Sequence, residues 1–113
     1  MEDYARKYMD ILKGIVLAHV DRTTTAVFLF GSRADGQNTR LSDVDIGIWG
    51  PAPLGAERHR ILTSIEESIV PYHVDLVDFH DADPAFRETA IKEIVLWNEP
   101  RDWTGNAPFS RKR

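Results

Sequence analysis

The chain has 113 residues, of which 42% are hydrophobic and 28% are charged, and its net charge is −4. This balance predicts one soluble globular domain and argues against a disordered chain or a basic duplex-binding domain. Cysteine is absent, which excludes disulfides and thiolate metal sites and favours a cytoplasmic location, and no apolar run is long enough to span a membrane.

The amino-terminal segment predicts a helix. Residues 3–20 carry apolar side chains at helical spacing, with acids and bases between them, so the segment does not have the pattern of a signal peptide. The stripe of Tyr4, Tyr8 and Ile11 on this helix suits either the core or the seam of a homodimer.

Two strands are predicted to follow, joined by a polar loop. Residues 26–30 are continuously apolar and predict a buried strand that ends at Gly31. Residues 31–42 are rich in Gly, Ser, Asn and Asp, which is typical of a loop, with one helical turn at its start. Residues 43–49 alternate between apolar and other side chains and predict a strand with one packed face and one functional face.

The second half of the chain predicts a helix, a strand and a last helix. Residues 55–69 have helical spacing, and a proline follows them. Residues 73–79 predict a third strand. Asp83 is a predicted helix cap, with Pro84 at the first helical position. The buried stripe predicted for this last helix consists of Phe86, Ala90, Ile94 and Trp97.

This order of elements predicts an α/β (α+β) fold with a small mixed β-sheet flanked by helices. The 12-residue link between the first two strands contains no full helix, so an antiparallel pairing is expected. The link to the third strand contains a helix and permits a parallel crossover. Residues 1–100 are expected to form the domain, and residues 101–113 a flexible tail.

Two aspartates open the second predicted strand. Asp43 and Asp45 are two residues apart, so both carboxylates point to one face, with Cα atoms about 6.5–7 Å apart. Carboxylate oxygens are the ligands that Mg²⁺ prefers. Because uncompensated carboxylates in a mostly buried sheet are costly, the pair predicts a bound cation.

The third strand and the turn after the first strand add further groups. Asp75 and Asp78 are three residues apart, so they point to opposite faces and only one can join the site; the residues alone leave both open. Gly31 and Ser32 offer backbone N–H groups and a hydroxyl to a phosphate. Arg33 either adds positive charge to the phosphates or is an exposed loop side chain.

Trp49 and the histidines have less specific predicted roles. Trp49 shares the strand face of Asp43 and Asp45, so it either stacks on a base or packs near the strand end. The histidines show no metal-ligand spacing and are predicted to be core or surface residues. They are His19, His59, His73 and His80.

Three stretches together resemble the signature of the polymerase-beta-like nucleotidyltransferase superfamily, and in particular its smallest branch, the minimal nucleotidyltransferases. They are residues 31–36 (GSRADG), 42–48 (SDVDIGI) and 72–78 (YHVDLVD). The resemblance extends over about residues 26–97. It implies a nucleotidyltransferase fold, dependence on Mg²⁺ (with Mn²⁺ as an alternative) and transfer of a nucleoside monophosphate from a triphosphate.

The resemblance also implies a role for each matching residue. Asp43 and Asp45 bind the metal. Asp75, rather than Asp78, completes a second metal position and accepts the proton of the attacking hydroxyl. The residues assigned to the nucleotide are Gly31, Ser32, Arg33 and Ser42.

Minimal nucleotidyltransferases commonly accompany a HEPN-domain partner as a toxin–antitoxin pair. The resemblance therefore implies an antitoxin that places AMP from ATP on a tyrosine of its partner. The alternative is a nucleotide- or partner-binding module without turnover, although the full set of acids argues against it. Transfer to a small molecule such as an aminoglycoside would need a recognition domain, for which the chain has no room.

Overall fold

In the computed structural model, which describes residues 2–35, 43–101 and 103, four helices and four strands follow one another along the chain. The helices are α1 Glu2–Ala18, α2 Ser32–Asp35, α3 Ala56–Glu66 and α4 Pro84–Ala90. The strands are β1 Ala26–Phe30, β2 Val44–Trp49, β3 Val74–Asp78 and β4 Val95–Leu96.

Some predicted features lie outside the described residues. They include Ser42, most of the 101–113 tail and the side chains of Tyr4 and Ser32. Within the described part of the chain, no helix combines the length and the apolar character needed to cross a membrane.

The strands form one mixed sheet in the order β3-β2-β1-β4. β1 and β2 are antiparallel, with Phe28 opposite Gly47 and Phe30 opposite Asp45. β2 and β3 are parallel, with Asp45 opposite Asp75. The α+β class and both predicted strand pairings are therefore confirmed, and the parallel crossover is made by α3 as expected.

One face of the sheet packs on α1 and α3. Leu12 and Val16 of α1 and Ile61 of α3 are fully buried against the apolar face of β2. This face accounts for the alternation in β2, since its inward residues are the apolar ones. Those residues are Val44, Ile46 and Ile48.

The opposite face is covered by an aromatic cluster. The rings of Phe28 and Phe79 are fully buried and lie 4.9 Å apart edge to face, and Phe30 lies 5.2 Å from Phe79. Gly47 is the position of β2 beneath these rings. The predicted functional face of β2 is therefore packed at its Gly47 end, and only the end that bears Asp45 remains for chemistry.

Replacing Gly47 with alanine is expected to destabilise the fold by about 1–3 kcal/mol, as overpacking of a core does. A Cβ at this position would overlap the Phe28 ring and lie 2.8 Å from Cε1 of Phe79, and both rings are fully buried. Thermal unfolding measures the loss. Gly14→Ala is the matched control, because nothing lies within 4 Å of its new Cβ and it lies inside α1, where alanine is favoured. A Tm for Gly47→Ala equal to that of the wild type would contradict this packing.

The last predicted helix is wrong beyond its first half. Asp83 caps α4 as expected, since its Oδ2 accepts from the backbone N–H groups of Ala85 (3.1 Å) and Phe86 (3.2 Å). The helix ends at Ala90, and Val95–Leu96 instead form a short strand antiparallel to β1. Phe86, predicted to be buried, is 41% exposed.

Hydrogen bonds to β1 account for this change. Trp97 donates its backbone N–H to the carbonyl of Val27 (2.8 Å), and Val27 donates back to Oδ1 of Asn98 (2.9 Å). Nδ2 of Asn98 donates to the carbonyls of Arg22 and Thr25, both at 2.9 Å. This segment satisfies backbone groups at the edge of β1 that a longer helix would leave unpaired.

The helix predicted over 55–69 also ends early, at Glu66. The hydroxyl of Ser68 donates to the carbonyl of Ile65 (2.6 Å) and accepts from the N–H of Val70 (3.1 Å), which turns the chain. Ile69 is consequently 64% exposed and lies outside the helix that was predicted to include it.

Candidate active site

Two neighbouring parallel strands bring the acidic residues together. Asp45 and Asp75 are direct partners across β2 and β3. Asp43 and His73 each lie two residues earlier, and the backbone N–H of Val44 donates to the carbonyl of His73 at 2.9 Å, which continues the pairing to this end. Because side chains alternate along a strand, all four project from the same face.

Three of these side chains converge. Ligand atoms of Asp43, His73 and Asp75 lie within 4.8 Å of one another, and all three residues are exposed. Nδ1 of His73 lies 3.5 Å from Oδ2 of Asp43. Two carboxylates and one imidazole form a donor set that fits a divalent cation.

Asp45 is partly buried and lies outside this group of three, although it was predicted to share an ion with Asp43. Its Oδ2 is directed at the turn after β1, where a Cβ built on Gly31 would lie only 2.5 Å away. The side chain is therefore held between the sheet and this turn, next to the exposed acids.

Gly31 allows that close approach. Its φ of +75° is a conformation that side chains with a Cβ rarely adopt, and its missing Cβ leaves the space that the Asp45 carboxylate occupies. The backbone N–H of Ala34 donates to the Gly31 carbonyl at 3.0 Å, which starts the short helix α2. The predicted helical turn after β1 is thus present.

The charge of Asp45 is disfavoured in the folded protein. Burial raises the pKa of its carboxyl, and the negative charges of Asp75 and then Asp43 raise this pKa further, while His73 lowers it. A cation bound among these groups would relieve the repulsion, which is the electrostatic condition of a metal site.

Asp78 is occupied elsewhere. Its Oδ2 accepts from the backbone N–H of Leu54 (2.9 Å) and its Oδ1 from that of His80 (3.0 Å). These bonds tie the end of β3 to the segment before α3. Of the two aspartates on this strand, only Asp75 belongs to the cluster with Asp43 and His73.

Arg33 lies near the site but against an aromatic ring. Its guanidinium carbon is 4.5 Å from the centroid of the Tyr72 ring, and Tyr72 in turn contacts Tyr8 edge to face at 5.8 Å. Arg33 is half-buried, so it is not the exposed loop side chain of one interpretation. Its contact with phosphate remains a prediction.

Trp49 packs rather than facing the acids. It lies at the opposite end of β2 from Asp45. Its ring is 5.6 Å from that of Phe79, and the guanidinium of Arg87 lies 5.3 Å from its centroid. These contacts are those of a residue that covers the aromatic cluster.

His73 is the site residue that sequence reasoning missed. The histidines were compared with one another by their spacing along the chain, and His73 has no partner by that criterion. The signal was present as two matching patterns: Asp43-Val44-Asp45 on one strand and His73-Val74-Asp75 on the next. A parallel register without offset places the first members of the two patterns side by side.

Comparison with known proteins agrees with the fold and the motifs. A family model described as "Polymerase beta, Nucleotidyltransferase" matches residues 15–102. A relative from Haemophilus influenzae, named a probable protein adenylyltransferase MntA, is 36% identical over 74 residues. That match covers 65% of this chain and 65% of the relative, so the chain spans just under two thirds of the relative's length.

Solved structures share the nucleotidyltransferase fold. A toxin–antitoxin complex with AMP-PNP has a TM-score of 0.62 at 22% identity, over 74% of this chain and 67% of that one. A variant of the toxin–antitoxin MntA–HpeT has a TM-score of 0.61 at 21% identity, over 80% of this chain and 70% of that one. A tri-AMPylated Shewanella oneidensis HEPN toxin in complex with MNT antitoxin has a TM-score of 0.54 at 17% identity. The match covers 78% of this chain and 70% of that one.

The similarity to these solved structures shows the fold alone. The family model, in contrast, matches the sequence of this chain over most of the chain's length. This chain therefore belongs to the polymerase beta nucleotidyltransferase family.

Proposed function

We propose that this protein transfers AMP from ATP to a hydroxyl group of a partner protein. The observation that carries the proposal is the convergence of Asp43 and Asp75 on one exposed face, with the repelled carboxylate of Asp45 beside them. Such a group of acids is suited to holding divalent cations against a triphosphate.

Asp43, Asp45 and Asp75 would hold the metal, with Mg²⁺ as the expected ion. A bound divalent cation supplies positive charge to the phosphate oxygens, where negative charge develops during transfer. The protein itself contributes the pairing of β2 and β3, which places the three carboxylates side by side on one face of the sheet.

The reaction is a displacement at the α-phosphate. The acceptor oxygen forms a bond to the α-phosphorus, and the bond from that phosphorus to the bridging oxygen of the β-phosphate breaks, so that pyrophosphate leaves. Asp75 is exposed and accepts the proton of the attacking hydroxyl. The turn at Gly31 and Ser32 receives the departing phosphates, with Arg33 and Ser42 as further nucleotide contacts.

The nucleotide and the acceptor are inferred from relatives. The similar protein from Haemophilus influenzae is named a protein adenylyltransferase. A protein of this fold was solved with AMP-PNP, and another with a tri-AMPylated HEPN toxin. They support ATP as substrate and a HEPN-domain toxin as acceptor, with this chain as the antitoxin. That the accepting hydroxyl belongs to a tyrosine is implied by the family resemblance alone.

The position of the label in ATP tests this function. The full chain is incubated with Mg²⁺, a HEPN-domain protein encoded beside it, and ATP labelled at either the α- or the γ-phosphate. The α-label should appear on the partner and the γ-label should not, because AMP is transferred and pyrophosphate leaves. Transfer of the γ-label would contradict the proposal. ATP binding without label on any acceptor would instead favour the binding module.

A further inference from the structure

We propose that His73 is a nitrogen ligand of the divalent cation and shifts the metal preference of this protein from Mg²⁺ toward Mn²⁺ and Co²⁺. The inference rests on the proposed metal site and adds to it a ligand to which the family resemblance assigns no role.

The position of His73 is set by the same backbone pairing as the acids. The hydrogen bond from Val44 to the carbonyl of His73 places this residue beside Asp43, just as Asp75 lies beside Asp45. Residues 43, 45, 73 and 75 thus form the corners of a four-sided patch, of which one corner carries an imidazole. The side chain of His73 is 70% exposed, so no packing prevents its ring from turning toward an ion.

The distances suit a shared ion. Octahedral coordination with bonds of about 2.1 Å places adjacent ligand atoms about 3 Å apart and opposite ones about 4.2 Å apart. Nδ1 of His73 lies 3.5 Å from Oδ2 of Asp43, and all three ligand atoms lie within 4.8 Å of one another. Rotations of the exposed side chains that move each ligand atom by about 1 Å would bring the three atoms to coordination distances.

The chemistry of the donor atoms determines which ion binds more tightly when an imidazole is added. Mg²⁺ is a hard cation that favours oxygen and keeps its water, so an imidazole adds little to its binding. Imidazole binds first-row transition ions well, and their affinity increases from Mn²⁺ to Co²⁺. A site in which an imidazole joins the carboxylates therefore favours these ions more than a site with carboxylates alone.

Metal binding to the nucleotide-free full chain, without a histidine tag and at one fixed pH, tests this inference. Titration calorimetry with Co²⁺, Mn²⁺ and Mg²⁺ is compared between the wild type, His73→Gln and the control His59→Gln on α3. We expect His73→Gln to weaken Co²⁺ binding at least tenfold and Mg²⁺ binding less than threefold. His59→Gln should change neither. Pulsed EPR of bound Mn²⁺ should show nitrogen coupling that His73→Gln removes.

Equal weakening of Co²⁺ and Mg²⁺ binding, or unchanged Co²⁺ binding with the nitrogen coupling retained, would overturn the assignment. Because no nucleotide or acceptor is present, this outcome is independent of whether AMP is transferred. If the wild type bound Co²⁺ through His73 as expected but transferred no AMP, the proposed function would be contradicted and the role of His73 would stand.

Discussion

Replacing Gly31 with alanine is expected to reduce AMP transfer at least about 100-fold, since a displacement of about 1 Å at a reacting centre has effects of this size. The new Cβ would lie 2.5 Å from Oδ2 of Asp45, far inside contact distance, so the carboxylate must leave its position. The backbone adds a second cost, because φ at this residue is +75°. A left-handed conformation costs a residue with a Cβ about 1–2 kcal/mol.

Gly55→Ala separates these two effects. Gly55 also has a positive φ, +64°, but nothing lies within 4 Å of its added Cβ. It should therefore lose stability in thermal unfolding, as Gly31→Ala does, while keeping its transfer rate. If Gly31→Ala transferred AMP as fast as Gly55→Ala, the contact between the turn and Asp45 would have no part in catalysis.

Asp45→Asn is expected to lose transfer by at least about 100-fold while becoming more stable than the wild type in a chelator. The loss follows because charge stabilisation by a bound metal contributes several kcal/mol to such reactions, and each 1.4 kcal/mol corresponds to a factor of about ten. The gain follows from the pKa of Asp45, which burial and the charges of Asp75 and Asp43 raise. The amide is isosteric with the carboxyl and carries no charge to be repelled.

The raised pKa also sets the pH dependence. The folded protein holds the Asp45 proton more tightly than the unfolded chain does, so this residue favours folding most at low pH. That contribution is lost as pH rises from about 4 through the raised pKa. The Tm of Asp45→Asn should therefore exceed that of the wild type at pH 7, by no more than about 5 °C because the site is partly exposed.

Asp21→Asn provides a control of opposite sign. Hydrogen bonds from the side chain and the backbone of Thr23 lower the pKa of Asp21, so its contribution is present above the ordinary aspartate range and is lost as pH falls. Asp21→Asn should thus be less stable than the wild type at pH 7. If Asp45→Asn also melted below the wild type in chelator, the carboxylate would not be repelled in the folded protein.

The central part of the sheet could be predicted because the burial of each strand face is reflected directly in its sequence pattern. β1 is apolar throughout since both of its faces are buried, and β2 alternates because only one face packs on the helices. The antiparallel pairing of β1 and β2 was expected because the link between them contains no full helix. Local pattern and global structure agree in these elements, which is the condition under which sequence reasoning succeeds.

The features that could not be predicted depend on distant partners. β4 has only two residues, and its formation depends on the free edge of β1 and on Asn98, which lies 71 residues along the chain from Val27. Helical spacing in residues 84–97 was outweighed by these hydrogen bonds. Likewise, Arg33 lies on Tyr72 across a long separation in sequence, which no local pattern encodes.

For the acidic site, alternation was enough to predict the shared face of Asp43 and Asp45 and the opposite directions of Asp75 and Asp78. The register of β2 against β3 was the missing quantity, because a shift of one residue would have brought different side chains together. Once that register is known, the place of His73 beside Asp43 follows directly.

The most direct test of the central claim compares Asp75→Asn with Asp78→Asn in transfer of α-labelled AMP to the partner. Both substitutions remove one carboxylate from the same strand, but only Asp75 belongs to the cluster, whereas Asp78 bonds to the backbone of Leu54 and His80. We expect Asp75→Asn to lose transfer by at least about 100-fold and folded Asp78→Asn to stay within about tenfold of the wild type. Full transfer by Asp75→Asn, with loss in Asp78→Asn, would show that the catalytic acids do not meet on this face of the sheet.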